Sequence, residues 1–281
     1  MVGSVPGYPV YTDIFDGRFN GKIDTHPDRL SIPQKRRKPT VFAIWNDWCH
    51  ERVNHVFRHK MVISAEFSEQ HTVLALTKRP HVMLDFWKSG IQHVPANWWN
   101  GLTVCNQAEA DSKIPEFLKV PGKKFLSIEP QLGPVDLIKK PAAYTWEYAI
   151  KTGYYWGLDQ RSGGSLSLDA VILGGETGPG ARPMHPDWVR SVRDQCAAAG
   201  VQFFFKGWGK YIPTYLLSDG LKLPAKRYCW VAVNDGSVDY GIATPFTNHF
   251  HHALMASVGY LVSDSRLLDG RTHDDLPWVT V

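Results

Sequence analysis

What most constrains this chain is a rhythm, in which short continuous apolar runs alternate with longer segments patterned for a helix. The runs are Val41 to Trp45, Thr72 to Leu76, Trp98 to Val104, Lys124 to Ile128, Ala170 to Leu173 and Gln202 to Phe205. A strand that is apolar throughout has no solvent face, so it belongs in a sheet covered on both sides. Between the runs lie helix candidates over Val53 to Ser68, Pro80 to Lys88, Gln107 to Leu118 and Pro186 to Ala199. Pro80 and Pro186 stand where a first-turn proline sacrifices no hydrogen bond, and Gly200 supplies a stop. The alternation predicts an α/β chain with a parallel sheet, and about six such units suit an incomplete barrel or an open doubly wound sheet.

The flanks read differently. Residues 1–39 hold turn residues and the basic run Lys35-Arg36-Arg37-Lys38 with little periodicity, which predicts an extended arm. The barrel itself is expected over 40–211. It is broken at about 138–169 by an insertion rich in tyrosine and tryptophan, which reads either as a lid or as a packed excursion. Residues 212–281 are irregular and are expected to pack on the barrel as a C-terminal extension, with a β-pair around Tyr228 to Val233 and Ser237 to Ile242.

With 43% hydrophobic and 21% charged residues, the chain is neither disordered nor collagenous nor a coiled coil. A net charge of +4 permits an anionic ligand without writing the basic stripe of a dedicated nucleic-acid binder. The four cysteines form no CxxC pair, which excludes a zinc ribbon and a disulfide-dense scaffold and favours a reducing cytoplasm. No run approaches the roughly 18 apolar residues of a membrane span, and no signal-peptide pattern opens the chain, so no membrane association is expected.

Polar side chains collect just after the strand ends, at Asp47, Lys78, Arg79, Asn106, Glu129, Glu176 and Lys206. In a βα barrel those ends share one mouth, where such folds build their sites. Three residues stand as catalytic candidates: Glu129, fixed by Pro130 at the end of a buried strand; Lys206, emerging from an aromatic strand; and Asp47. Lys206 is expected to pair with Glu129 or Glu176, or to hold a substrate anion. Gly174-Gly175-Glu176-Thr177-Gly178 forms a glycine-rich turn whose amides can approach an anion, although it matches neither dinucleotide fingerprint nor phosphate loop. With Lys78, Arg79 and Asn106 it makes up the candidate cofactor-binding set. The blander readings are a tight turn, solvated loop cations and an internal salt bridge. Cys49-His50, His55, His59 and the histidines at 249, 251 and 252 complete no metal-ligand pattern, so no metal site is assigned.

At these loops a resemblance emerges. His26-Pro27-Asp28-Arg29-Leu30, Leu76-Thr77-Lys78-Arg79-Pro80, the stretch Phe125 to Leu137 and the stretch Gly174 to Trp188 closely resemble a phage- and prophage-associated family of unknown function. Its members look like partial TIM barrels related to radical S-adenosylmethionine enzymes and are often named for an N-terminal three-cysteine motif. The similarity runs from about Thr25 to Tyr211 and returns at Leu267 to Arg271. It implies S-adenosylmethionine and a [4Fe-4S] cluster held by three close cysteines. No such motif precedes Thr25, and Cys49 and Cys105 stand where the family pattern implies a bulky apolar and an acidic residue. The cluster is therefore not supported by this chain, which is expected either to begin late, without its first strand, or to have diverged.

The expected protein is thus a radical-SAM-like partial TIM barrel of unknown substrate, inactive in reductive cleavage, with an anionic small molecule or nucleotide at its mouth. An open sheet edge would then need the arm or a partner protein to cover it. A non-catalytic module binding a nucleotide, nucleic acid or protein is the alternative, with Lys35 to Lys38 and nearby aromatics suiting a single strand. A zinc hydrolase using Asp47, Cys49 and His50 ranks last.

Overall fold

The structure, a computed structural model, describes residues 14–15, 18–19, 23–90, 93–137, 167–216, 228–232, 234, 236–240, 252–257, 266–276 and 278. The first strands, β1 (Ile14–Phe15) and β2 (Arg18–Phe19), pair with each other and, among the described residues, with no other strand. The principal sheet follows: β3 (Val41–Ile44), β4 (Thr72–Thr77), β5 (Trp98–Thr103), β6 (Lys123–Ile128), β7 (Ala170–Gly174) and β8 (Gln202–Gly207). These six strands lie side by side in chain order, every neighbour parallel, and curl into half a barrel. Sequential order excludes the doubly wound alternative, which would reverse direction at a switch point.

The helices form where the apolar spacing predicts. Besides a short α1 (Ile32–Lys35), they are α2 (His55–Glu66), α3 (Pro80–Lys88), α4 (Gln107–Phe117) and α5 (Pro186–Ala199). Asn54, Asn106 and His185 cap α2, α4 and α5, accepting from the amides of Val56, Glu109 and Asp187. Gly200 ends α5 at φ 71°. In the stretch expected to be extended, Pro27–Ser31 and α1 coil into helical turns, because Pro27 and Pro33 each occupy a first-turn position. That segment packs on α2, and His71, only 1% exposed, sits with Nε2 2.9 Å from the Pro33 carbonyl.

Alternate residues along each strand face two different cores. Val73, Leu102, Leu126, Val171 and Phe205 face the helices in the large core with Met83, Phe117 and Val189. Buried Asn100 is satisfied within that layer, since its Oδ1 accepts from Trp87 and Trp98, both at 3.1 Å, and its Nδ2 donates to the Pro121 carbonyl at 2.9 Å. Leu74, Trp99, Phe125, Ala170 and Ile172 form the smaller core on the concave face.

The C-terminal region supplies a second, antiparallel sheet in the order β11-β10-β12-β9, from β9 (Tyr211–Pro213), β10 (Tyr228–Ala232), β11 (Val238–Tyr240) and β12 (His252–Ser257). The expected pair is β10 with β11, while β12 adds a strand the irregular pattern did not disclose. The chain then returns to the barrel. Phe205 donates its amide to the His273 carbonyl at 2.9 Å beside an antiparallel bridge from Phe204 to Asp274, which partly pairs the outer edge of β8. Trp278 closes over the concave core, its ring 4.8 Å from Trp99 and 5.7 Å from Phe125. Most of the aromatic insertion, 138–166, lies outside the described residues, so the lid expectation does too. Among the described residues no helix is long and apolar enough to cross a membrane.

Candidate functional site

The C-terminal ends of the strands carry three polar groupings. In the first, Glu129 stands one residue beyond β6 and Lys206 lies near the end of β8. Both point to the concave side, and Lys206 Nζ meets Glu129 Oε1 at 3.1 Å. Ser127, two residues earlier on the same face of β6, donates to Glu129 Oε2 at 3.1 Å. The pair is asymmetric: the Glu129 side chain is 17% exposed and that of Lys206 58%. The ammonium also lies 5.3 Å from the ring centroid of Trp45, just past β3, so the outermost strands of the sheet meet across the mouth through this contact. Gly174 makes room for the pair, since a Cβ there would come within 2.9 Å of Glu129 Oε1.

Asp47 organises the second grouping. It accepts from the Thr77 hydroxyl, from Arg79 Nη1, from the Lys78 amide at 3.3 Å and from the Cys49 amide at 3.2 Å. Arg79 reaches Glu51 with Nε at 2.9 Å. Burial disfavours the Arg79 charge, but Asp47 and Glu51 together hold it above its ordinary pKa. A cation at the start of α3 is disfavoured by the helix dipole, and these carboxylates offset that cost. Arg58, 6% exposed, steadies the same loop by donating to the carbonyls of Trp48 at 3.1 Å and His50 at 2.7 Å. The Lys78 side chain is exposed.

The third grouping is the glycine-rich turn. Glu176 accepts from the Arg182 amide at 2.8 Å and from its guanidinium through two contacts at 2.9 Å, and this clamp, Arg182 foremost, lowers the carboxyl pKa despite partial burial. Gly175 is needed for close approach, because a Cβ there would strike the carbonyl of Trp208. Thr177 and Gly178 are exposed, and Gly178 adopts φ 87° with open space beside it. Thus the structure joins Glu129, Lys206 and Gly174 in one cluster and Asp47, Lys78 and Arg79 in another. Lys206 takes Glu129 as its partner, while Glu176 binds within its own loop. Asn106 caps α4, its Oδ1 accepting from the Glu109 amide at 2.9 Å.

Sequence reasoning missed Trp45, Ser127, Arg182 and Gln131. Ser127 was available from its spacing of two before Glu129, but Trp45 meets Lys206 only because the sheet curls. Gln131, 1% exposed, has neither amide atom hydrogen-bonded, although its backbone N–H donates to the Gly174 carbonyl at 3.1 Å.

Among the described residues a cluster or a zinc ion finds no matching set of donors. Cys49, Cys105, Cys196 and Cys229 are all buried on separate elements, and burial raises every thiol, Cys196 and Cys229 to about 12. Cluster ligation needs converging thiolates. Among the described residues no three of His, Cys, Asp or Glu converge on a metal position, and that covers Asp47, Cys49 and His50. His55 and His59 contact each other, with ring centroids 4.6 Å apart, and His55 Nε2 lies 2.7 Å from Ser89 Oγ.

Fold and site together define a parallel βα half-barrel with a polar mouth on the C-terminal side of its strands. The chain belongs to the family described as Protein of unknown function (DUF5131), whose family model matches residues 7–277. Comparison with curated proteins and with solved structures found no match in either case.

Proposed function

We propose that this chain is a radical-SAM-like barrel protein, of the phage-associated kind its motifs resemble, that binds an anionic small molecule or nucleotide at the mouth without cleaving S-adenosylmethionine. The observation that carries this reading is the Lys206–Glu129 pair. An ammonium has three donors. The described contacts spend one on Glu129 and set the charge beside the Trp45 ring, leaving a largely exposed cation at the place where βα barrels act. Glu129 and Ser127 hold Lys206 in position, so a phosphate or carboxylate would meet an ordered cation rather than a free surface lysine. The Asp47–Arg79 cluster stiffens the adjoining loop. The buried cysteines supply no ligand set for the cluster that radical cleavage requires, and that is the ground for expecting binding without the reaction.

Equilibrium binding of ATP and of S-adenosylmethionine to the full chain tests this. Lys206→Ala is expected to weaken binding of the phosphate-bearing probe about tenfold, in keeping with loss of one charge-assisted contact of roughly 1.5 kcal/mol. Glu129→Gln leaves the ammonium in place and should weaken binding less. Equal affinity in wild type and Lys206→Ala would remove the site from the mouth. Assembly of a [4Fe-4S] cluster with formation of 5′-deoxyadenosine would overturn the non-cleaving part.

A further inference from the structure

The sheet has one edge that the described chain leaves bare. The outer side of β8 is partly paired by the segment around His273, but no described strand pairs with β3 on the side away from β4. The register shows which backbone groups face outward. Thr72 donates to the Thr40 carbonyl at 3.1 Å, and backbone direction alternates along a strand, so Phe42 and Ile44 also turn to β4 while Val41 and Ala43 turn their N–H and C=O groups away. Open donors and acceptors of this kind are a template for another strand.

The exposed apolar side chains are unevenly distributed along the chain. Eight large apolar side chains are exposed among the described residues, and seven of them lie between Ile23 and Phe67, the exception being Tyr215. Val41 is 42% exposed and Trp45 50% on the concave side of the strand, while α2, the next element, exposes Ile63 and, at its end, Phe67 at 75%. Val41 and Trp45, exposed on and just past the edge strand itself, give the open backbone edge an apolar side that an added strand could cover. Immediately before β3 stand Lys35, Arg36, Arg37 and Lys38, all exposed and forming no ion pair among the described residues.

We propose that the β3 edge is a docking surface for an acidic protein segment that adds a strand beside Val41–Ile44, with its carboxylates on the Lys35–Lys38 run and its apolar side chains against those of the edge. A second copy of this chain fits less well. Two β3 edges paired antiparallel would set each basic run near Asp47 and Glu51 of the other copy, and Arg79 already holds both carboxylates. Nucleic acid would answer the basic run but not the apolar residues. Trp45 borders both this edge and the mouth, but the outward backbone groups of Val41 and Ala43 and the basic run belong to the edge alone, so failure of binding here and failure of anion binding at Lys206 are distinguishable.

The test uses the full chain and two labelled ten-residue peptides, one alternating valine with glutamate and one alternating valine with lysine. The glutamate peptide is expected to bind at least tenfold tighter by fluorescence anisotropy, to weaken with added salt and to slow amide exchange across Val41–Ile44. Ala43→Pro removes one outward N–H and leaves the ladder to β4 intact, so it should abolish binding without changing the unfolding midpoint. Should that variant unfold, Arg37→Glu, on an exposed side chain, reads the charge contribution instead and should cost several-fold in affinity. Equal binding of both peptides, or no protection at Val41–Ile44, would overturn the proposal. So would slow exchange of Val41 and Ala43 in the free chain, dimerisation abolished by Ala43→Pro, or tighter binding of oligothymidylate.

Discussion

Lys124 shows how a single side chain can contradict its chemical type. It sits on the helix-facing side of β6, 1% exposed, with Nζ donating to the carbonyls of Val120 at 3.0 Å and Gly122 at 2.9 Å. Burial pulls its pKa down to about 8, only partly opposed by Asp169. The unfolded chain holds that proton up to the ordinary value of 10.5, so between about pH 8 and 10.5 the unfolded state binds more protons than the folded one. Stability therefore gains from this residue as pH rises through that window. Chemical denaturation of wild type and Lys124→Met across it should show the rising contribution in wild type alone. A sequence that places lysine at the head of an apolar strand suggests a solvated boundary, and only the packing of the neighbouring loop reveals the burial.

At the scale of elements, the turn Leu268–Arg271 is a two-residue hairpin in which Asp269 (φ 52°) and Gly270 (φ 80°) both take positive φ, as Asp-Gly turns do. Asp269 ties this turn to α5, meeting Arg190 at 2.8 Å and Arg193 at 2.5 Å. The Arg190 hydrogen bond, with help from Arg193, holds the Asp269 carboxyl below its ordinary value of 3.8. A depressed carboxylate contributes stability that is complete above the unfolded pKa and is lost as pH falls through the folded one. Asp269→Asn keeps the left-handed turn available but removes the charge, and it should cost about 1 kcal/mol, since the site is partly solvated. Faster amide exchange at Phe205, whose amide bonds to the returning tail, would report the loosening, and unchanged exchange would count against the clamp. This fastening was invisible in the sequence because its partners are remote along the chain. The six strands of the principal sheet and the four longer helices were legible, for their apolar runs, prolines and Gly200 act locally, whereas β1, β2 and β9 are too short to carry such a run and β12 was missed. Of the candidate site, the Glu129–Lys206 pairing was legible as a choice between two carboxylates, whereas Trp45 needed the curvature of the sheet.

For the whole molecule, the half-barrel depends on Trp278. Leu74, Trp99, Phe125, Ala170 and Ile172 make a concave core too small to close itself, and Trp278 packs over it beside Lys123, whose Nζ lies 5.0 Å from the Trp99 ring. Trp278→Ala should cost about 2 kcal/mol, less than the 3–5 of a fully buried aromatic because Trp278 keeps some exposure. It should also raise binding of an apolar dye, and a variant with wild-type stability would show the contact to be incidental. The same dependence puts a clock on biosynthesis. Phe125 and Trp99 emerge from the ribosome long before the residue that shields them, and at ordinary elongation rates the gap is roughly 10–30 s. Throughout that interval a nascent chain carries an uncovered aromatic trough, so its survival is governed by how quickly translation reaches Trp278 and by what chaperones hold the trough meanwhile.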